Sequence, residues 1–110
     1  MAEGWEIGPR EAHRLRQSEP SIILLDVRSG QERDLACIAG SLHVPMEEIT
    51  RCLQRLREHE ERRIIVHCHH GVRSFQVVAF LRQQGFEDVV SMAGGIELWA
   101  RAVDPSVGRY

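Results

Sequence analysis

The sequence that decides the fold is an apolar run followed by a short polar loop, Ile64-Ile65-Val66-His67-Cys68-His69-His70-Gly71-Val72-Arg73-Ser74. Consecutive branched apolar residues are typical of a strand that is covered on both faces, as in a parallel sheet. The residues after Ser74 carry apolar side chains at helical spacing up to Gly85, so we expect a helix that Ser74 caps. Cys68 is therefore predicted to lie in a tight turn between a buried strand and a helix.

Outward from this turn, strands and helices are predicted to alternate. Strands are expected at residues 22–25, 64–66 and 89–90, with weaker candidates at 6–7 and 42–44. Helices are expected from Pro9, across residues 46–56, after Ser74 and across 96–103. This alternation predicts an α/β fold, a mostly parallel sheet of about five strands with helices on both faces. Right-handed crossovers then bring the carboxyl ends of the strands, and the Cys68 turn, to one edge.

Length and charge limit the classes of protein. The 110 residues suit one domain over residues 1–110, with 104–110 as a loosely held tail. Fourteen basic against sixteen acidic residues argue against nucleic-acid binding. We see neither a membrane-spanning apolar stretch nor a secretory signal, and so expect a cytoplasmic protein without membrane partners. Nothing in the sequence indicates more than a monomer or a weak dimer.

The three cysteines, Cys37, Cys52 and Cys68, form no C-x-x-C pair, which disfavours a zinc site or a dithiol redox motif. The neighbouring donors of residues 67–70 cannot all converge on one ion, so we expect no metal and no organic cofactor. Cys52 shares a helical face with apolar residues and is expected to pack in the core. Cys37 is expected to be structural, which leaves Cys68 as the candidate reactive thiol.

The position of Cys68 favours nucleophilic chemistry. A thiol attacks as the thiolate, and the first N–H groups of a helix together with a curled loop form a site for negative charge. Gly71 gives the backbone freedom for such a curl, and Arg73 adds a positive charge. We therefore predict that Cys68 is catalytic.

Four segments together resemble single-domain rhodaneses, the sulfurtransferase family. They are Asp26-Val27-Arg28 with Glu32, residues 38–45, residues 68–74, and Gly94-Gly95-Ile96 with Trp99. The resemblance covers nearly the whole chain. It implies a rhodanese-like fold in which Trp99 is core and Gly94-Gly95 forms either a close backbone approach to the Cys68 loop or a plain turn.

The same resemblance implies a ping-pong transfer of sulfur. Cys68 would take the outer sulfur of a small anionic donor such as thiosulfate or a persulfide, and a thiol, cyanide or a sulfur-carrier protein would accept it. The substrate-binding residues would be those of the loop, His69, His70, Gly71, Val72, Arg73 and Ser74. Arg28 is a weaker candidate for contact with substrate; it could instead pair with Glu32 and shape the loop beside the site.

Two other activities stay open at this point. A module that relays sulfur from protein to protein would use the same persulfide, and the ending at residues 103–110 resembles rhodanese domains joined to activating enzymes. A cysteine-dependent phosphatase or arsenate reductase has five residues between its cysteine and arginine, whereas four separate Cys68 from Arg73. A domain that only binds would commonly lack the cysteine.

Overall fold

The structure, a computed structural model, describes residues 4–110. Its strands are β1 (Glu6–Ile7), β2 (Ile23–Asp26), β3 (Leu42–His43), β4 (Ile64–His67) and β5 (Val89–Met92). Its α-helices are α1 (Pro9–Ser18), α2 (Gly30–Leu35), α3 (Leu53–Leu56), α4 (Val72–Gln83) and α5 (Gly95–Ala102), with 3₁₀ turns at Met46–Glu48, Arg57–His59 and Pro105–Val107. In this part of the chain the strands form one five-stranded sheet in the order β1-β5-β4-β2-β3, with every neighbouring pair parallel.

The centre of the sheet is β4, which pairs with β2 on one side and β5 on the other. Every residue of β4 and β5 is buried, as the unbroken apolar runs indicate for strands covered on both faces. Because the strands are parallel, the loops after β2, β4 and β5 meet at one edge of the sheet. The predicted α/β fold with a mostly parallel sheet is confirmed.

Two apolar cores lie on the two faces of the sheet. Successive strand residues point to opposite faces, and Val66 and Cys68 pack in the core that holds Leu81 of α4. Ile65 packs in the other core with Trp99 of α5. Trp99 is 3% exposed, which confirms that it is a core residue.

The helix predicted across residues 46–56 is wrong as a continuous element. The chain instead forms the 3₁₀ turn Met46–Glu48 and then the short α3. Two consecutive β-branched residues, Ile49 and Thr50, fall at the break and disfavour continuous helix. The apolar face survives in pieces, since Ile49 and Leu56 are buried and Cys52 packs half-buried against the same core.

The predicted helix cap is also wrong, because α4 begins at Val72 and Ser74 is its third residue. The residue before the helix is Gly71, whose φ of 104° lies in the left-handed region that glycine adopts without strain. The tight turn is therefore three residues shorter than a Ser74 cap would make it, and Ser74 is free to serve another role. Within residues 4–110, no helix combines the length and apolar character that crossing a bilayer requires.

Candidate active site

The sulfur of Cys68 lies at the carboxyl end of β4, enclosed by the loop that leads into α4. The backbone N–H of Gly71 donates to Sγ at 3.0 Å, and that of Ser74 donates at 3.3 Å. The thiol also lies 3.4 Å from the Ser74 hydroxyl oxygen. Cys68 is 1% exposed. Donors that converge on one sulfur stabilise negative charge there, as in other anion-binding loops.

Both the helix and the loop contribute to this cradle, by which we mean residues 68–74. Ser74 lies in the first turn of α4, where N–H groups have no partner within the helix, so its N–H is available to the sulfur. The Ser74 hydroxyl is itself 2.7 Å from the hydroxyl of Ser91 in β5. The buried pair of hydroxyls fixes Ser74 beneath the sulfur. The predicted role of Ser74 as a helix cap had concealed this contact.

The start of α5 holds the cradle from outside. The N–H of Ile96 donates to the Cys68 carbonyl at 2.9 Å, and the N–H of Glu97 donates to the His69 carbonyl at 3.1 Å. A Cβ on Gly95 would overlap those same two carbonyl oxygens. Because the carbonyls are bound on the outside, the N–H groups of the loop can face inward. Gly95 therefore permits the close approach of backbone to the Cys68 loop, which was one of the two roles predicted for Gly94-Gly95.

Arg73 lies on the surface side of the cradle and is paired with a carboxylate. Its two terminal nitrogens donate to Glu32 at 2.6 and 2.8 Å, a bidentate pair. These bonds hold the pKa of Glu32 well below its usual range and raise the pKa of Arg73. The structure therefore brings Arg73 to the loop but directs its terminal nitrogens to Glu32 rather than to the sulfur.

Arg28 corrects one part of the sequence-based prediction, which is the partner of its side chain. Its side chain is fully buried, where Nε and Nη2 donate to the Asp26 carboxylate at 2.9 Å each and Nη2 donates to the Ala36 carbonyl. Burial opposes the charge of Arg28, but the interactions with Asp26 and Tyr110 together outweigh it and raise the pKa of Arg28. The predicted side-chain pair with Glu32 is wrong, since Arg28 reaches only the Glu32 backbone carbonyl at 3.3 Å. These contacts shape the loop after β2 and do not support contact with substrate.

Three aromatic rings pack together at the cradle, and one of them, Tyr110, was not predicted. The rings of His69 and His70 lie 3.9 Å apart, and the ring of Tyr110 stacks on His69 at 4.0 Å with an interplanar angle of 11°. The Tyr110 hydroxyl donates to Glu32 at 2.9 Å and accepts from Arg28 at 3.0 Å. Tyr110 lies in the segment predicted as a loosely held tail, and in the structure it makes these specific contacts. No pattern of apolar spacing marks Tyr110, because its partners are polar and distant in sequence.

His67 is a second residue that the sequence analysis did not assign. It is the last residue of β4, is 0% exposed, and lies opposite Asp26 in β2. Neither ring nitrogen has a hydrogen-bond partner among residues 4–110. Burial lowers the pKa of His67 to about 4, although the nearby Asp26 carboxylate opposes the shift. The imidazole beside the catalytic candidate is therefore neutral at physiological pH.

Of the predicted loop residues, Gly71 and Ser74 contact the sulfur, whereas others lie at the surface. His69 is half-buried and His70 is exposed. Val72 is 68% exposed, although it is apolar. The structure is thus an α/β domain in which backbone N–H groups hold a buried thiol, in the loop that follows the central strand of a parallel sheet.

The comparisons with known proteins agree with that class. The Rhodanese-like domain model matches residues 9–102. The chain belongs to the rhodanese-like domain family.

Curated relatives include proteins that this chain matches over most of their length and longer ones that it matches only in part. A thiosulfate sulfurtransferase GlpE of Ectopseudomonas mendocina is 35% identical over 96% of this chain and 93% of that protein. A probable adenylyltransferase/sulfurtransferase MoeZ of Mycobacterium tuberculosis is 32% identical over 99% of this chain, which spans only 28% of that protein. Among solved structures, a rhodanese-related protein of Thermoplasma volcanium superposes with a TM-score of 0.79 at 28% identity, covering 89% of this chain and 92% of that one.

Proposed function

We propose that this chain is a rhodanese-type sulfurtransferase in which Cys68 carries the transferred sulfur as a persulfide. The observation that carries the proposal is the enclosed sulfur of Cys68, which accepts hydrogen bonds from the N–H groups of Gly71 and Ser74. A persulfide places a second sulfur and a negative charge in the same loop. Preorganised N–H groups stabilise such charge without reorganisation during the reaction.

In the first half-reaction the Cys68 thiolate attacks the outer sulfur of thiosulfate. A bond forms between Sγ and that sulfur, and the bond between the two sulfurs of thiosulfate breaks. The bonding pair leaves with sulfite. The enzyme is left as a persulfide anion, so atoms and charge balance.

In the second half-reaction an acceptor attacks the terminal sulfur of the persulfide. A thiolate or cyanide forms the new bond, and the bond to Sγ breaks with its pair returning to Cys68. The cradle then holds a thiolate again and can accept another donor. A thiol that must be reduced to accept sulfur favours a reducing compartment, and on this ground we propose a cytoplasmic location for the protein.

A test of this function is steady-state kinetics with thiosulfate and cyanide varied against each other. A persulfide intermediate that forms before the acceptor binds gives parallel double-reciprocal lines. Intersecting lines would mean that both substrates must be bound together, which would contradict the proposal.

Hydrolysis of an aryl phosphate that depends on Cys68 would instead favour the phosphatase reading. Against that reading, both terminal nitrogens of Arg73 are engaged by Glu32.

A second candidate is relay of sulfur to a carrier protein. It is favoured by the alignment of 99% of this chain with part of a probable adenylyltransferase/sulfurtransferase, and by the exposed apolar side chain of Val72 on the cradle itself. Both activities share the persulfide of Cys68. Saturable transfer to a carrier protein, combined with poor turnover of cyanide, would select the relay.

A further inference from the structure

Cys68 has almost no exposed surface, and yet sulfur transfer requires a donor and then an acceptor to reach its sulfur. The residue is 1% exposed, although the loop around it includes the half-buried His69 and the exposed His70 and Val72. Access therefore requires the loop to move, and whatever fixes the loop from outside controls that movement. A local opening of this kind has its own free energy, separate from global unfolding.

The side chain of Tyr110 makes such an outside contact. Its ring lies flat on His69, the residue directly after Cys68, with the ring centroids 4.0 Å apart. Aromatic pairs at this separation attract each other beyond simple burial. Because the His69 ring also packs against the His70 ring, at an interplanar angle of 31°, the contact reaches two consecutive residues of the loop.

The hydroxyl of Tyr110 is fixed on the opposite side by two charged groups. It donates to Glu32 at 2.9 Å and accepts from the buried Arg28 at 3.0 Å. Glu32 is itself bound by Arg73 of the cradle, and by the Ser29 backbone N–H at 3.1 Å within a capping box. Tyr110 therefore bridges α2, the loop after β2 and the cradle.

We propose that Tyr110 is a positioning residue of the active site, which holds the cradle closed over Cys68 through His69 and Glu32. The inference rests on the proposed function, since it concerns access to the sulfur-carrying thiol. The residue does not touch the sulfur; it acts through the two residues that it binds. Its ring restrains the loop directly, and its hydroxyl restrains the carboxylate that holds Arg73.

The test is the rate at which iodoacetamide alkylates Cys68, resolved from the other cysteines by peptide mass spectrometry. Tyr110→Ala removes ring and hydroxyl, and we expect the Cys68 rate to rise about tenfold, because a buried group reacts through the open loop. Tyr110→Phe keeps the ring and loses the hydroxyl, so its rate should lie between those of wild type and Tyr110→Ala. The half-buried Cys37 is the internal control and should not change.

A matched variant in the same segment is Arg109→Ala, which removes the exposed pair between Arg109 and Glu97. An exposed pair contributes little, so the Cys68 rate should stay within twofold of wild type. The proposal is overturned if Tyr110→Ala leaves the Cys68 rate unchanged, if Cys37 accelerates equally, or if Arg109→Ala has the same effect. If Tyr110→Phe has the same Cys68 alkylation rate as wild type, the hydroxyl has no role. If its rate equals that of Tyr110→Ala, the ring has none. Alkylation requires no sulfur transfer, so these outcomes are independent of whether the proposed function holds.

Discussion

The loops that follow β2 and β4 lie side by side, with Asp26 opposite His67, yet they use their polar groups in different ways. After β2, the buried Asp26 carboxylate accepts two bonds from the Arg28 side chain and one from Arg33 at 3.0 Å. After β4, the buried Cys68 sulfur meets neutral groups instead, which are two backbone N–H groups and a hydroxyl.

The difference separates a structural site from a reactive one. The charges of Asp26, Arg28 and Arg33 are already paired. Burial raises the pKa of Asp26, but the bonds from Arg28 together with the positive charge nearby outweigh it and lower the pKa. The donors after β4 carry no full charge of their own and can stabilise a negative charge when a reaction generates one. A mutation in the first loop should therefore cost stability, whereas a mutation in the second should cost activity. Four tests, each with its own substitutions, probe this distinction.

The largest effect is expected for Cys68→Ser. The hydroxyl can occupy the same cradle but does not form a persulfide, so thiosulfate:cyanide transfer should fall by at least about 1,000-fold. The free energy of unfolding should change by less than about 1 kcal/mol, since the side chain keeps its size and its donors. Cys37→Ser, outside the cradle, should retain full activity. Loss of folding in Cys68→Ser would show that the thiol is a packing residue.

The next effect is expected for Asp26→Asn, measured by urea unfolding. Removal of one partner from a buried ion pair leaves Arg28 uncompensated, and we expect a loss of about 3–5 kcal/mol. The control is Glu60→Gln, which breaks the exposed pair with Arg57 and should cost less than about 1 kcal/mol. Equal losses in the two variants would contradict a structural role for the network after β2.

The third test is the pH dependence of stability at His67, which lies opposite Asp26 where the two loops begin. The pKa of His67 is lowered from 6.5 to about 4 in the folded protein, so between these values only the unfolded chain binds the proton. Stability should therefore fall as the pH drops from about 6.5 to about 4, by about 3 kcal/mol in total from this residue. His67→Phe cannot titrate, and the difference between its unfolding free energy and that of the wild type should change across this window. A difference independent of pH would show that His67 does not have a lowered pKa.

The smallest effect concerns the pair that joins the two loops, Arg73 and Glu32. In Arg73→Ala the KM for thiosulfate should rise about tenfold with little change in kcat, because a positive charge on the surface side of the cradle is lost. Glu32→Gln keeps the capping box but removes a negative charge, and should lower the KM. If both substitutions shifted the KM in the same direction, the effect would be one of loop structure rather than of charge.

The sequence predicted the parts of the molecule that depend on local patterns. Continuous apolar runs indicated the central strands, and the strand–loop–helix order brought Cys68 to the correct edge of the sheet. The boundaries at Gly71 and Ser74 were missed, because a left-handed glycine and a serine can both precede a helix. Residues 103–110 resembled the ends of rhodanese domains joined to activating enzymes. No local pattern, however, indicated which residues Tyr110 contacts.

The same limit explains the two arginines. Arg28 and Arg73 each follow a buried strand, and Glu32 was available to either. The sequence favoured the nearer pair, Arg28 with Glu32. In the fold, Arg28 is drawn into the interior by Asp26, and Glu32 is left for Arg73, which lies far from it in sequence. Tertiary placement therefore decided which carboxylate each arginine binds.

The most direct test of the central claim is the intact mass of the reduced protein after incubation with thiosulfate, with Cys68→Ser treated in parallel. The wild type should gain the mass of one sulfur atom, the variant should gain none, and cyanide should remove the added sulfur. A sulfur that also appears on the variant would place the chemistry on another cysteine. Absence of any gain in the wild type, with thiosulfate and with a persulfide donor alike, would contradict Cys68 as the carrier of sulfur.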